Sequence, residues 1–129
     1  MRKVFLPFLF LVILSLFACQ ANDNGLTFMG EGNDWSAELS VNQNDGKETY
    51  EIKLIYKGDN IEEIETFRYN IKSRNGVVDY NDKNVELNEE GIYKNNLLSE
   101  NSDSTSSEDE IVIEMEWNDK GESFNLRSK

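Results

Sequence analysis

The sequence predicts an all-β domain, a small antiparallel β-sandwich of immunoglobulin-like architecture with about seven strands. Three observations lead there. Apolar residues recur with a period of two, the spacing that puts them on one face of a strand. Clusters of Asn, Asp and Gly punctuate these runs at regular intervals. No segment of useful length after the first 18 residues carries a helical period.

The strands follow in order. Trp35, Ala37, Leu39 and Val41 share one face, with Ser36, Glu38 and Ser40 on the other. Tyr50, Ile52, Leu54 and Tyr56 repeat the pattern opposite Glu51 and Lys53. Phe67, Tyr69 and Ile71 alternate with Arg68, Asn70 and Lys72. Ile61 and Ile64 fall out of phase with each other, and Ile64 with Phe67, so a bulge near Glu65-Thr66 is expected. Ile111, Ile113, Met115 and Trp117 alternate with Glu114 and Glu116. The last run, Glu122–Arg127, is expected to close a hairpin with Phe124 and Leu126 inward. Turns are expected at Asn44-Asp45-Gly46, Lys57–Asn60, Asn75-Gly76, Asn81–Asn84 and Asn118–Gly121, where Asn, Asp and Gly accept turn geometry. The Cys…Trp…Cys signature of true immunoglobulin domains is missing, so the comparison is one of architecture.

The first residues are of another kind. Arg2 and Lys3 precede Val4–Phe17, an uncharged and almost wholly apolar run. This is the charged start and apolar middle of a signal peptide. It is shorter than the roughly 17–25 residues that cross a bilayer. The run ends on the chain's single cysteine. Leu16-Phe17-Ala18-Cys19 resembles the lipobox of bacterial lipoproteins, with Phe17 where a small residue is usual. The resemblance implies a diacylglycerol on the Cys19 thiol and cleavage between Ala18 and Cys19. The rival is ordinary secretion, for which cleavage after Ala21 fits best because Cys19 and Ala21 are both small. Two acyl chains hold a protein to a membrane stably, where one chain does so only marginally. The expected division is a signal peptide at 1–18, a lipidated start and linker at 19–25, and the sandwich at 26–129.

Composition narrows the function. The chain of 129 residues has 25 acids against 13 bases and a net charge of −12. Loss of residues 1–18 takes away Arg2 and Lys3 and no acid, leaving 111 residues and −14. Such a body does not seek nucleic acid and is repelled by anionic head groups. There is no histidine and no cysteine besides Cys19. That removes the usual catalytic triads, His/Cys zinc sites and disulfide redox chemistry. No cofactor is expected.

The remaining candidates for chemistry are carboxylates and aromatics. Asn101–Glu110 is polar and low in complexity, and with 99–100 it reads as a flexible acidic loop. Asp103, Glu108, Asp109 and Glu110 are the weak candidates there for calcium, which takes oxygen ligands. Glu31, Asn33 and Asp34 form a second cluster, and Asn42–Gly46 a third, none with EF-hand spacing. Glu114 and Glu116 could serve a carboxylate hydrolase, but acids alternating along one strand read as a solvated face. Trp35 and Trp117 could stack on a sugar, yet their phase with Leu39 and Met115 puts them inside. Tyr80 and Tyr93 lie in weakly patterned segments and could be exposed, but nothing converges on them. Val112 and Ile55 are apolar on otherwise polar faces, which suits a partner surface or plain strand propensity.

The chain as a whole resembles a family of small uncharacterised lipoproteins from Bacillus-type bacteria. Three stretches carry the resemblance: Phe28-Met29-Gly30-Glu31-Gly32-Asn33-Asp34-Trp35, Tyr56-Lys57-Gly58-Asp59, and Ile113-Glu114-Met115-Glu116-Trp117-Asn118-Asp119-Lys120-Gly121-Glu122. Gly32 stands where the family often has Ser, and Asp119 where it often has Gly. The resemblance implies an envelope lipoprotein of sandwich type and no known activity. The expectation is therefore a non-catalytic binding module, lipid-anchored on the extracytoplasmic side of the cell membrane. Its partner would be another envelope protein or polymer. A calcium-binding module is the first alternative and a carboxylate hydrolase a distant one.

Overall fold

A computed structural model describes residues 25–44, 47–98 and 105–129. Ala18, Cys19, the Asp45-Gly46 turn and Asp103 lie outside the described residues.

Among the described residues, eight strands form one antiparallel sheet: β1 (Gly25–Glu31), β2 (Trp35–Asn44), β3 (Lys47–Tyr56), β4 (Phe67–Ser73), β5 (Asp79–Val85), β6 (Ile92–Leu98), β7 (Ile111–Trp117) and β8 (Lys120–Ser128). Their order is β5-β4-β7-β8-β1-β2-β3-β6. The sheet curls over on itself. β1 and β8 pair at only two positions, Phe28 with Ser128 and Met29 with Arg127, and this short seam joins two four-stranded layers. The layers face each other through aromatic rings. Trp35 of β2 meets Phe67 of β4 at 4.9 Å and Trp117 of β7 at 5.7 Å. Tyr50 of β3 meets Tyr80 of β5 at 5.6 Å, and Tyr93 of β6 meets both Phe67 and Tyr69 at 5.8 Å. Side chains alternate inward and outward along each strand, so both layers bury one face and solvate the other.

The period-two reading of β2, β3, β4, β7 and β8 holds. Trp35, Leu39, Tyr50, Ile52, Leu54, Ile71, Ile113 and Leu126 are all buried. Four expectations are corrected. First, Ile61–Glu63 forms a single 3-10 turn, and Ile64 is buried outside any strand. No bulge at Glu65-Thr66 is needed, because the phase breaks where the strand has not yet begun.

Second, Asn81–Asn84 is not a turn but the middle of β5. The pairing steps from Phe67–Val85 to Tyr69–Asp82, so Lys83 and Asn84 together face Arg68 alone. Asn84 takes a φ of 56° at this bulge. Asn tolerates the left-handed region in a bulge as well as in a turn, so the same residues suggest either. Third, Tyr80 and Tyr93 are partly buried against the core rather than exposed. Fourth, the end of the acidic loop is not free. Thr105 is buried, Ser106–Asp109 makes a closed turn, and Arg74 N–H donates to the Glu110 carbonyl at 2.9 Å.

The hairpin from β7 to β8 turns on Asn118 and Asp119, with φ of 47° and 61°. Positive φ at both central residues is what a two-residue turn between right-twisted strands requires. At the other end of β4, the Asn75 side chain accepts from Ser73 Oγ at 2.6 Å and Val77 N–H at 3.1 Å, and Gly76 turns at φ 80°.

Candidate functional site

The strands end in two poles. Gly25 pairs with Asn42, so the chain enters β1 at the pole that also holds the β2–β3 hairpin, the Ser73–Val78 turn and the segment 105–110. The opposite pole is built from the connections at 31–34, 57–66, 86–91 and 118–119.

At this far pole the stretches Phe28–Trp35, Tyr56–Asp59 and Ile113–Glu122 come together. Lys57 is the link between the first two. Its backbone N–H donates to the Asp34 carbonyl at 2.8 Å. Its ammonium reaches the Glu31 carboxylate at 3.2 Å and the Gly32 carbonyl at 3.0 Å. Glu122 ties in the third stretch by accepting from the Asp34 N–H at 2.9 Å. A Cβ at Gly32 would lie 1.6 Å from the Glu122 carboxylate oxygen, so the β1–β2 turn passes directly over this contact. Tyr56 folds back over Gly58, where a Cβ would meet its ring carbon at 2.4 Å. Asn118 donates from its side chain to the Glu63 carbonyl at 2.9 Å, holding the closing hairpin to the 3-10 turn.

Beneath these turns lies an aromatic floor. Trp35 contacts Tyr56 at 5.3 Å as well as Phe67 and Trp117. Both tryptophans are buried, as their strand phase required. They offer no stacking face to a sugar. The Trp35 indole N–H is buried without a hydrogen-bond partner among the described residues.

The connections of the far pole are acidic, although Arg68, Lys83 and Lys120 stand at the strand ends beside the 118–119 turn. The four connections hold ten acids and a single base, Lys57. The field is felt by Tyr56, whose phenol is pushed up by burial and then by Asp34, Glu63 and Asp59. Such a surface presents acceptors and negative potential.

The sequence-derived candidates fall elsewhere or apart. Glu110 pairs with Arg74 at 3.1 Å, and Asp109 accepts from Ser106 N–H at 2.9 Å. Glu108, exposed, donates its backbone N–H to Ser106 Oγ. Among the described residues the three share no centre. Glu31 and Asp34 are brought together with Lys57, but Asn33 is not part of that contact. Glu114 and Glu116 lie on the exposed outer face, where Glu116 pairs with Arg68 directly opposite on β4. Val112 on that face is 37% exposed, while Ile55 is half-buried.

One polar centre was missed by reading the sequence. Glu48 of β3, 4% exposed, lies at the entry pole. Its Oε1 accepts from Tyr50 Oη at 2.7 Å and Thr105 Oγ1 at 3.0 Å. Its Oε2 accepts from Gln43 Nε2 at 2.7 Å and the Thr105 backbone N–H at 2.7 Å. Gln43 Nε2 also donates to the Thr105 carbonyl at 2.8 Å. Burial raises the carboxyl, but the donors from Gln43, Thr105 and Tyr50 outweigh it and hold Glu48 below its ordinary value. The signal was present: Glu48 shares the inward phase of Tyr50, Ile52 and Leu54.

No family model matches this chain, and no curated protein or solved structure matches it.

Proposed function

We propose that the protein is a lipoprotein anchored on the extracytoplasmic side of the cell membrane, with a non-catalytic binding module as its body. The observation that carries this reading is Leu16-Phe17-Ala18-Cys19 closing the apolar run. Five residues separate Cys19 from Gly25, where β1 begins. At about 3.3–3.6 Å per residue that tether reaches no more than roughly 20 Å. The entry pole would therefore face the bilayer, and the far pole would face outward.

The far pole is the binding surface in this proposal. It is where the three stretches that carry the family resemblance meet, and it is fixed by Lys57, Glu122 and Asn118 rather than left as loose loops. Its negative potential selects a partner with cationic groups, an envelope protein or polymer. The same charge keeps the body off anionic head groups.

Two measurements test the reading. Labelled fatty acid should enter the wild-type protein and not Cys19→Ser, which should accumulate as precursor. A mature chain without label that starts at Asn22 would replace anchoring with ordinary secretion. In cells, a photo-crosslinking residue at Glu31 or Asp59 should capture a partner that one at Asn42 does not. Capture from Asn42 alone would move the binding surface to the entry pole.

A further inference from the structure

Glu48 is an unusual residue to find at an inward strand position. A buried carboxylate costs free energy unless its acceptor sites are filled. Here two donors come from one residue, Thr105, which is 57 positions away in sequence. Thr105 is itself polar and only 3% exposed, and apart from Glu48 its polar contacts are with Gln43 and the Tyr50 hydroxyl. It is followed by a segment with little apolar content. Beyond Thr105, residues 106–110 are held by the Ser106–Asp109 turn and by Arg74, contacts that are local or exposed. Attachment of the start of this segment to the sandwich thus rests on Glu48, with Gln43 on the Thr105 carbonyl, while Glu110 is held separately by Arg74.

We propose that Glu48 is a latch: it fastens residues 105–109 onto the entry pole, and its release frees that segment while the sandwich stays folded. The strands do not depend on it. β3 pairs with β2 from Lys47 to Tyr56 and with β6 from Thr49 to Ile55, and β7 pairs with β4 and β8 along its whole length. Segments held by few buried apolar contacts open at lower free energy than core strands, which is the condition a latch needs.

The surroundings make the device acid-sensitive. Tyr50 lies beside Glu48, with Tyr80 behind it. Lys47 and Glu51 point to the opposite, exposed face of β3. Glu108 and Asp109 lie further along the fastened segment and Glu110 just beyond it, with Arg74 against Glu110. The carboxyl is filled by neutral donors, so the latch is closed at neutral pH and opens only when Glu48 takes a proton, below its ordinary value of 4.5.

Amide hydrogen exchange by NMR tests this. In Glu48→Gln, Thr105 and Ser106 should exchange at least tenfold faster than in the wild type, while Ile52 and Ile113 keep their protection. Glu108→Gln, which loses the same charge outside the latch, should leave all four unchanged. If Glu48→Gln does not fold, Thr105→Val gives the same comparison. In the wild type the Thr105 amide shift should titrate below pH 4.5, and in Glu48→Gln it should not. Exchange at Thr105 within twofold of wild type would overturn the latch. So would loss of protection at Ile52 and Ile113 together with Thr105, which would make Glu48 a support of the whole fold. Acid titration of Thr105 in both proteins would also overturn it.

Discussion

Gly30 shows how a single backbone position can decide the curl of the sheet. A Cβ there would lie 2.1 Å from the Asn125 carbonyl oxygen and 2.9 Å from the Leu126 side chain. β1 approaches β8 this closely just beyond the two-residue seam at Phe28 and Met29. Backbone cannot yield as a flexible side chain can, so Gly30→Ala should destabilise by about 1–3 kcal/mol. Chemical denaturation is the measurement, and Gly76→Ala, with nothing within 4 Å and only a positive φ to strain, should cost less. Tyr69 supplies a second prediction. Burial pushes its phenol up, followed by Tyr93 and Asp82, and the Asn95 hydrogen bond only partly offsets them. The unfolded chain then loses this proton near pH 10 while the folded one keeps it. Stability is fully present below about pH 10 and falls as pH rises above it. Tyr69→Phe should flatten that alkaline loss, measured as melting temperature against pH.

Strand ends explain why some elements were readable and others were not. The β7–β8 hairpin demands positive φ at Asn118 and Asp119, and Asp119 is the poorer fit of the two. Asp119→Gly should stabilise by up to about 1 kcal/mol, since glycine takes that region without a steric penalty. Thermal unfolding would detect it, and a lower melting temperature would mean the Asp119 side chain has a role of its own. β5 escaped notice for the opposite reason. Asp79, Asn81, Asp82 and Lys83 give it no apolar alternation, because it is an edge strand exposed along most of its length. Polar edge residues guard a free edge against pairing with another chain. β1 was hidden by Gly25 and Gly30, which break the side-chain pattern on which a strand assignment relies.

Charge acts on the molecule as a whole. A chain with 25 acids and 13 bases repels itself, and ten of those acids sit in the connections of one pole. Added salt should therefore raise the melting temperature between low and physiological ionic strength, as screening shortens the field to about 8 Å. Calcium and magnesium at equal ionic strength should act alike. The Asp109 and Glu110 carboxylates are engaged in separate contacts, and among the described residues no three acids gather to hold an ion. A several-degree rise with calcium alone would make a calcium-binding module the better account of the acidic segment.

The all-β class, the inward set of β2, β3, β4 and β7, and the burial of Trp35 and Trp117 were determined by the sequence alone. Period two is a local property: neighbouring residues must face opposite sides wherever the strand goes. The acidity and the apolar run ending at Cys19 are likewise properties of the chain itself. The strand order was decided only by the tertiary structure, because pairing is set by which edges meet after the sheet curls. So was the meeting of Glu31, Lys57, Asp34 and Glu122, which are scattered over 92 positions. Glu48 marks the boundary between the two. Its inward phase was visible in the sequence, but an inward acid is intelligible only with its donors, and two of those four come from Thr105, brought back by the fold from the far side of β6.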